Sequence, residues 1–262
     1  MNSQSPGSVM SPADQADGLR RMFAGSRVRF VAVASNPHVA FAGVLLERLC
    51  AACTELGRRV LVVDAAETSP AARELSLLEL AGCIEPLSEQ VSYLAARGLP
   101  LRHVDARGST SAFLDAAAHA APEADVVIVH AGAAELSRLF ARRAPRPVLL
   151  AADHPASVTH AYASMKLLVQ RNALMAFDLL LAAAAHSPRR ERIAEQLAGC
   201  ADNFLNAVLH GWAAVDPACH PADAAPREVV QLVQALLDAA DELPPPAAWA
   251  LSNASALRAA AN

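Results

Sequence analysis

The feature that most constrains this chain is a βαβ signature near its start. Residues 28–34 read VRFVAVA, apolar enough for a strand covered on both faces. A loop over 35–41 leads to a helical pattern over 42–56, which Gly57 stops at the position after the C-cap. Residues 59–64 read RVLVVD, a second apolar strand. Two such strands joined through one helix predict a parallel sheet with a right-handed crossover.

The alternation continues. Helices are expected over 71–80, 111–120, 136–143 and 157–170, and strands over 101–104, 125–129 (DVVIV) and 147–151 (PVLLA). A last apolar run covers 176–184, and amphipathic helices are expected over 189–209 and 227–243. The fold class is therefore α/β: a doubly wound, mostly parallel sheet in one domain over 28–243. Residues 1–12 are Ser/Pro/Gly-rich and read as disordered. Residues 13–24 read as a short helix with Leu19, Met22 and Phe23 on one face and Asp14 as N-cap. Pro244, Pro245 and Pro246 open a separate tail over 244–262.

Composition narrows the function classes. The 262 residues are 54% hydrophobic, ample for a core, and carry a net charge of −4. That balance argues against general nucleic-acid binding, which needs a basic field. Five scattered cysteines do not suggest a disulfide framework. With no signal-peptide pattern and no apolar run of about 18 residues, a cytoplasmic setting is expected.

In an open parallel sheet, ligands sit beyond the carboxyl ends of the strands. The first strand-to-helix loop here reads Ala34-Ser35-Asn36-Pro37-His38-Val39-Ala40-Phe41-Ala42-Gly43. A phosphate-gripping loop needs glycines, a Lys for the β/γ oxygens and a Ser or Thr for Mg²⁺. This loop has no Lys and one Gly, and Pro37 removes an N–H donor.

Residues 31–66 nevertheless resemble, without a gap, the first βαβ unit of the MinD/ParA superfamily of deviant Walker-A ATPases, which implies a P-loop NTPase fold. The family's S-G-K-G-G-V-G-K-T runs onto Ser35 to Gly43. Its signature Lys falls on Pro37, its P-loop Lys on Ala42 and its Mg²⁺-binding Thr on Gly43. Its L-G-x-R-V-L-L-x-D-A-D runs onto Leu56 to Ala66, which keeps Asp64 and replaces the second carboxylate by Ala66. Asp125 to Ala133 is similar to the Walker-B strand, with His130 in place of the magnesium-associated Asp. Asp153 to Lys166 is similar to the family's T-P-E-P-x-S-I-T-D-A-Y-A-x-I-K. No Asn occupies 179–183, where the adenine-reading residue is expected.

Ahead of the loop, Asp14-Gln15-Ala16-Asp17-Gly18-Leu19-Arg20-Arg21-Met22-Phe23 resembles the D-Q-A-x-x-L-R-x-L segment of the FlhG subgroup, regulators of flagellar number and placement. In that subgroup the segment contacts the GTPase FlhF and stimulates its hydrolysis. The resemblance implies a protein-binding regulator with Asp14, Gln15, Leu19, Arg20 and Arg21 facing the partner. It leaves Ser35, Gly43, Asp64 and His130 as relics of a nucleotide site. ATP and Mg²⁺, the family's cofactors, are expected to be lost, and with them the ATP-sandwiched dimer. Membrane association is expected to be weak or indirect, with a peripheral location at the cell pole and flagellar assembly proteins as partners.

Blander readings compete at each point. The 13–24 segment also reads as a helix with a solvated charged face. Cys50 and Cys53 form a C-x-x-C inside an apolar helix, where packing is the simpler role. Cys219, His220 and His210 match no standard zinc spacing. His38 reads as a solvent-facing loop residue. Asp64, His130 and Asp153 are expected to cluster at the carboxyl edge of the sheet. A Ser35/His38/Asp64 triad is rejected because no G-x-S-x-G elbow is present.

Overall fold

The computed structural model describes residues 28–73, 79–220 and 222–241. The expected 13–24 docking helix, the 1–12 segment and the 244–262 tail lie outside the described residues.

The strands form one eight-stranded sheet, with its central members buried. They are β1 (Arg29–Ala34), β2 (Val60–Asp64), β3 (Glu85–Pro86), β4 (Val91–Ala95), β5 (Val126–Ala131), β6 (Val148–Ala152), β7 (Ala176–Ala182) and β8 (Val208–Val215). Their order is β3-β4-β2-β5-β1-β6-β7-β8, all parallel except the short β3. The helices are α1 (Ala42–Glu55), α2 (Ala112–Ala120), α3 (Ala133–Leu139), α4 (Pro155–Asn172), α5 (Arg190–Leu205) and α6 (Arg227–Asp241).

Alternation along each strand feeds two cores. Val31, Val33, Val62, Ile128 and Leu150 pack under α1 and α6. Ala32, Leu61, Val63, Val129 and Leu149 face the other side, against Phe113, Leu136, Met165 and Leu197 of α2 to α5. This three-layer arrangement is the doubly wound α/β architecture that the alternating pattern dictates.

The helix ends follow local chemistry. Gly57 takes φ +70° after α1, and the N–H groups of Gly57 and Arg58 return to the carbonyls of Thr54 and Cys53. That paired closure needs a left-handed residue, which glycine supplies without strain. Pro155 sits at the first turn of α4, where its missing N–H costs nothing.

Several expectations need correction. Residues 101–104 are no strand, since Pro100–His103 forms a 3-10 turn and the strand of that region is β4. Helix α3 starts at Ala133 and stops at Leu139, before the expected 136–143 span is complete. The expected 189–209 helix ends at Leu205, where Asn206 turns left-handed at φ 51° and β8 begins two residues later. The 71–80 helix falls partly on residues outside the description; Ala71 bridges to Arg97, and a 3-10 turn covers Ala81–Cys83.

At the opposite end of the sheet from the loops lies a buried ion pair. Arg146 Nε donates to Asp178 Oδ2 at 2.5 Å, and the Asp178 side chain is 1% exposed. The β7–β8 register skips His210 here, and a Cβ on Gly211 would lie 3.1 Å from Asp178 Oδ1. Burial pushes the Asp178 carboxyl up, against the opposing pull of Arg146. Removing the guanidinium leaves a buried, uncompensated charge. Arg146→Met should therefore cost about 3 kcal/mol in urea unfolding at pH 7, and the deficit should shrink in acid as Asp178 takes up a proton.

Candidate functional site

A cleft of about 640 Å³ opens at the carboxyl ends of β1, β2 and β5. Its walls are the loop after β1, the start of α1, the segment after β2, the start of α3 and one face of α4. Ser35, Gly43, Asp64 and His130 all line it. Sequence reasoning brought these four together.

The loop after β1 is held by a residue the sequence reading passed over. Asn36 is buried, and its Nδ2 donates to Leu150 O at 2.8 Å, Ser157 O at 2.9 Å and Ser157 Oγ at 3.1 Å. Ser157 Oγ in turn accepts from Ala152 N–H at 2.8 Å. The loop is thus tied to β6 and the first turn of α4. Asn36 also consumes the loop's own donors: His38 N–H reaches its Oδ1 at 3.1 Å and Val39 N–H its carbonyl at 3.0 Å. Pro37 has no N–H. Three consecutive positions that would wrap an anion therefore offer it nothing. The only signal in the sequence was an Asn followed by Pro, which marks a turn.

What remains for an anion is the N-terminus of α1, whose cap residue Phe41 makes no side-chain cap and is 59% exposed. A helix terminus contributes about 0.3–1 kcal/mol toward a negative group. A single preorganised donor at a reacting oxygen is worth about 3–4 kcal/mol. Among the described lining residues there is no Lys or Arg, and Ala42 and Gly43 present no ammonium or hydroxyl. The donor set does not fit a magnesium triphosphate.

The opposite wall is acidic and tightly bonded. Asp64 and His130 are register partners on β2 and β5, so both face α1. His130 Nδ1 lies 2.8 Å from Asp64 Oδ1; Ser69 Oγ also donates to that oxygen, and Tyr93 OH donates to Oδ2 at 3.0 Å. Burial pushes the Asp64 carboxyl up, but the hydrogen bonds from His130, Ser69 and Tyr93 outweigh it and hold the carboxyl below its ordinary value. Burial and the neighbouring carboxylate push the Tyr93 hydroxyl up, so it remains a donor. Ser69 and Tyr93 are further residues that sequence reasoning missed; Tyr93 reaches Asp64 from β4, the strand it had not placed.

Asp153 does not join this group. It follows β6, three strand spacings or about 14 Å from β2. There it accepts from Ser187 Oγ at 2.6 Å and pairs with Arg189 at 3.7 Å. His38 is exposed, yet it belongs to a cluster: its carbonyl lies 2.8 Å from His154 Nε2, and its ring meets His160 at 5.8 Å. Burial and then His38 hold the His160 imidazole below its ordinary value. In α1, burial pushes the Cys50 and Cys53 thiols up to about 12, which makes both inert packing groups.

No protein-family model matches the chain, and no curated protein matches its sequence. Solved structures do match. MinD cell division protein from Aquifex aeolicus superposes with a TM-score of 0.54 at 14% identity, over 80% of this chain and 97% of that one. A ParA family ATPase from Chlorobium tepidum TLS gives 0.52 at 12%, over 80% and 98%. Cobyrinic acid a,c-diamide synthase from Mycobacterium smegmatis, with bound ADP and magnesium, gives 0.55 at 19%, over 82% and 96%. At these identities the likeness is one of fold: the chain has the MinD/ParA form of the P-loop NTPase fold.

Two variants probe the walls of the cleft. Asn36→Ala strips three buried acceptors of their donor and should cost about 2–3 kcal/mol in urea unfolding. A carboxyl held below 3.8 in the fold stabilises it above that pH and loses the contribution as pH falls through it. The melting-temperature deficit of Asp64→Asn should therefore be full at pH 6–7 and narrow below about pH 4, as thermal melts across that range would show.

Proposed function

We propose that this chain is a MinD/ParA-type regulator of the FlhG kind that acts by binding proteins and has given up ATP binding and hydrolysis. The observation that carries the reading is the loop after β1, whose donors are spent on Asn36 and whose cleft lacks any described Lys or Arg. The fold supplies surfaces without the phosphate clamp. The N-terminal Asp14, Gln15, Leu19, Arg20 and Arg21 supply contacts for an FlhF-type GTPase, and flagellar assembly proteins are the wider set of partners. Pro37 stands where the residue reaching across an ATP-sandwiched dimer is expected, so no such dimer forms. The acidic balance supports no role with nucleic acid. The setting we propose is the cytoplasm, at the periphery of the cell pole. No described helix is long and apolar enough to cross a membrane, and any membrane association is weak or indirect.

A second reading, a weak or atypical ATPase, is favoured by one feature: Asp64 is an ionised carboxylate that faces the cleft at the family's acidic position. The two separate cleanly. Calorimetric titration with ATP and Mg²⁺ should give no saturable binding below about 1 mM, since the terminal dipole alone contributes under about 1 kcal/mol. Micromolar binding, with turnover abolished by Asp64→Asn, would establish the enzyme instead. On the partner side, Leu19→Ala with Arg20→Ala should abolish stimulation of an FlhF-type GTPase, and unchanged stimulation would remove the docking assignment.

A further inference from the structure

Helix α4 grips the loop after β1 at three points. His154 caps the helix, and Ser157 and His160 follow at intervals of three residues. The middle contact is the Asn36 amide on Ser157. On either side of it an imidazole holds a carbonyl. His154 Nε2 lies 2.8 Å from the His38 carbonyl oxygen. That oxygen only accepts, so Nε2 carries a proton in this contact whichever charge the ring bears. The His160 ring bonds the backbone of Ser35. The Ser35 N–H is already given to Ala131 O at 2.9 Å, which leaves the Ser35 carbonyl for His160.

The third imidazole closes the group. The ring centre of His38 lies 5.8 Å from that of His160 and 6.3 Å from that of His154. Three side chains that gain positive charge in acid thus meet at the seam between loop and helix. Little around them offsets that charge. Asp153, at the end of β6, is engaged with Ser187 and with Arg189 from the segment after β7. The first turn of α1, residues 42–45, carries no titratable side chain. On the far wall of the cleft Asp64 and His130 are bonded to each other, and Glu67 follows β2. Lys166 of α4 and the partial positive charge of the helix N-terminus add to the same sign. Among the described residues the histidine ion pairs are those of His130 and His210.

We propose that His38, His154 and His160 form a pH-sensitive clamp, closed while the rings are neutral, that loosens the loop after β1 from α4 as they take up protons. Two like charges about 6 Å apart near a surface shift an equilibrium about threefold to tenfold, and His38 makes two such pairs. Burial, and then His38, hold the His160 imidazole below its ordinary value. The closed form therefore binds fewer protons than a form with the loop lifted, so acid favours lifting. The Asn36 bonds carry no charge and keep the movement local. Lifting uncovers Val39, which is buried in the closed form, and widens the cleft that Val39 lines. The clamp acts on the shape of the cleft and goes beyond the protein-binding reading without resting on it.

The test is NMR of the full-length protein, with ring-labelled histidines and a labelled Asn36 side-chain amide. Protection of that amide, corrected for intrinsic exchange, should fall about tenfold between about pH 7.5 and about pH 5.5, and by less at high salt. His38→Gln, at an exposed position, should raise the His160 midpoint toward its ordinary value and reduce the acid loss of protection about threefold or more. His160→Gln keeps a donor for the Ser35 carbonyl and should reduce that loss likewise. Protection that does not change with pH, or that falls equally in the wild type and in both variants, overturns the clamp. So does a His160 midpoint that His38→Gln leaves unmoved, a result that stands even if His160→Gln does not fold. No nucleotide or partner enters the measurement, so failure of the clamp is distinct from failure of the regulator reading.

Discussion

The amide of Asn36 is the interaction on which the active end of this molecule depends. Its side chain closes the gap between β1, β6 and the first turn of α4 and takes up the His38 N–H, while the Asn36 backbone carbonyl takes up the Val39 N–H. In a phosphate-binding loop the same backbone donors must point outward into a shared concavity. The two arrangements are mutually exclusive, because an N–H has one direction. In this loop the donors at 38 and 39 are turned inward as well as lacking a lysine beside them, so a lysine alone would not make a nest.

That exchange sets the electrostatics of the whole cleft. With no guanidinium or ammonium among the described lining residues, the Asp64 carboxylate needs another source of stabilisation. It finds three hydrogen-bond partners, His130, Ser69 and Tyr93, each from a different segment. Hydrogen bonds to the charged form keep a carboxylate ionised. The described lining therefore carries two carboxylates, Asp64 and Glu67, and no Lys or Arg.

The architecture was legible from the sequence because parallel strands covered on both faces leave nearly unbroken apolar runs, as in 59–64 and 125–129. Elements that were missed lack that mark. β8 reads VLHGWAAV, with His210 at a register skip and Gly211 against Asp178, so its alternation is broken where the geometry is irregular. β4 lies next to the edge, half-buried, and its polar members Ser92 and Tyr93 disguise it. The site was legible in part. Ser35, Gly43 and Asp64 follow from a gapless alignment of one βαβ unit and His130 from the likeness of 125–133 to the Walker-B strand, and register on adjacent parallel strands brings these strand ends together. Asp153 failed the same logic: a strand end near in motif order sits three strands away in the sheet. Asn36, Ser69 and Tyr93 were invisible, since hydrogen bonds over long sequence separation carry no local pattern.

The placement of polar groups also explains why such a core tolerates the change. Both large hydrophobic clusters reach the cleft through Val39, Leu46 and Ala133, yet neither includes Asp64 or His130. Apolar burial, at roughly 25 cal/mol per Å², stabilises the sheet and its helices, and of the loop over 35–41 only Val39 belongs to the buried clusters. The loop needs only to satisfy its own backbone and the carbonyls it covers, and Asn36 does both. Substitutions at the ligand-facing positions therefore cost the fold little, provided each buried donor and acceptor finds a partner. Among the described residues lining the cleft, the one that does not is His130, at Nε2.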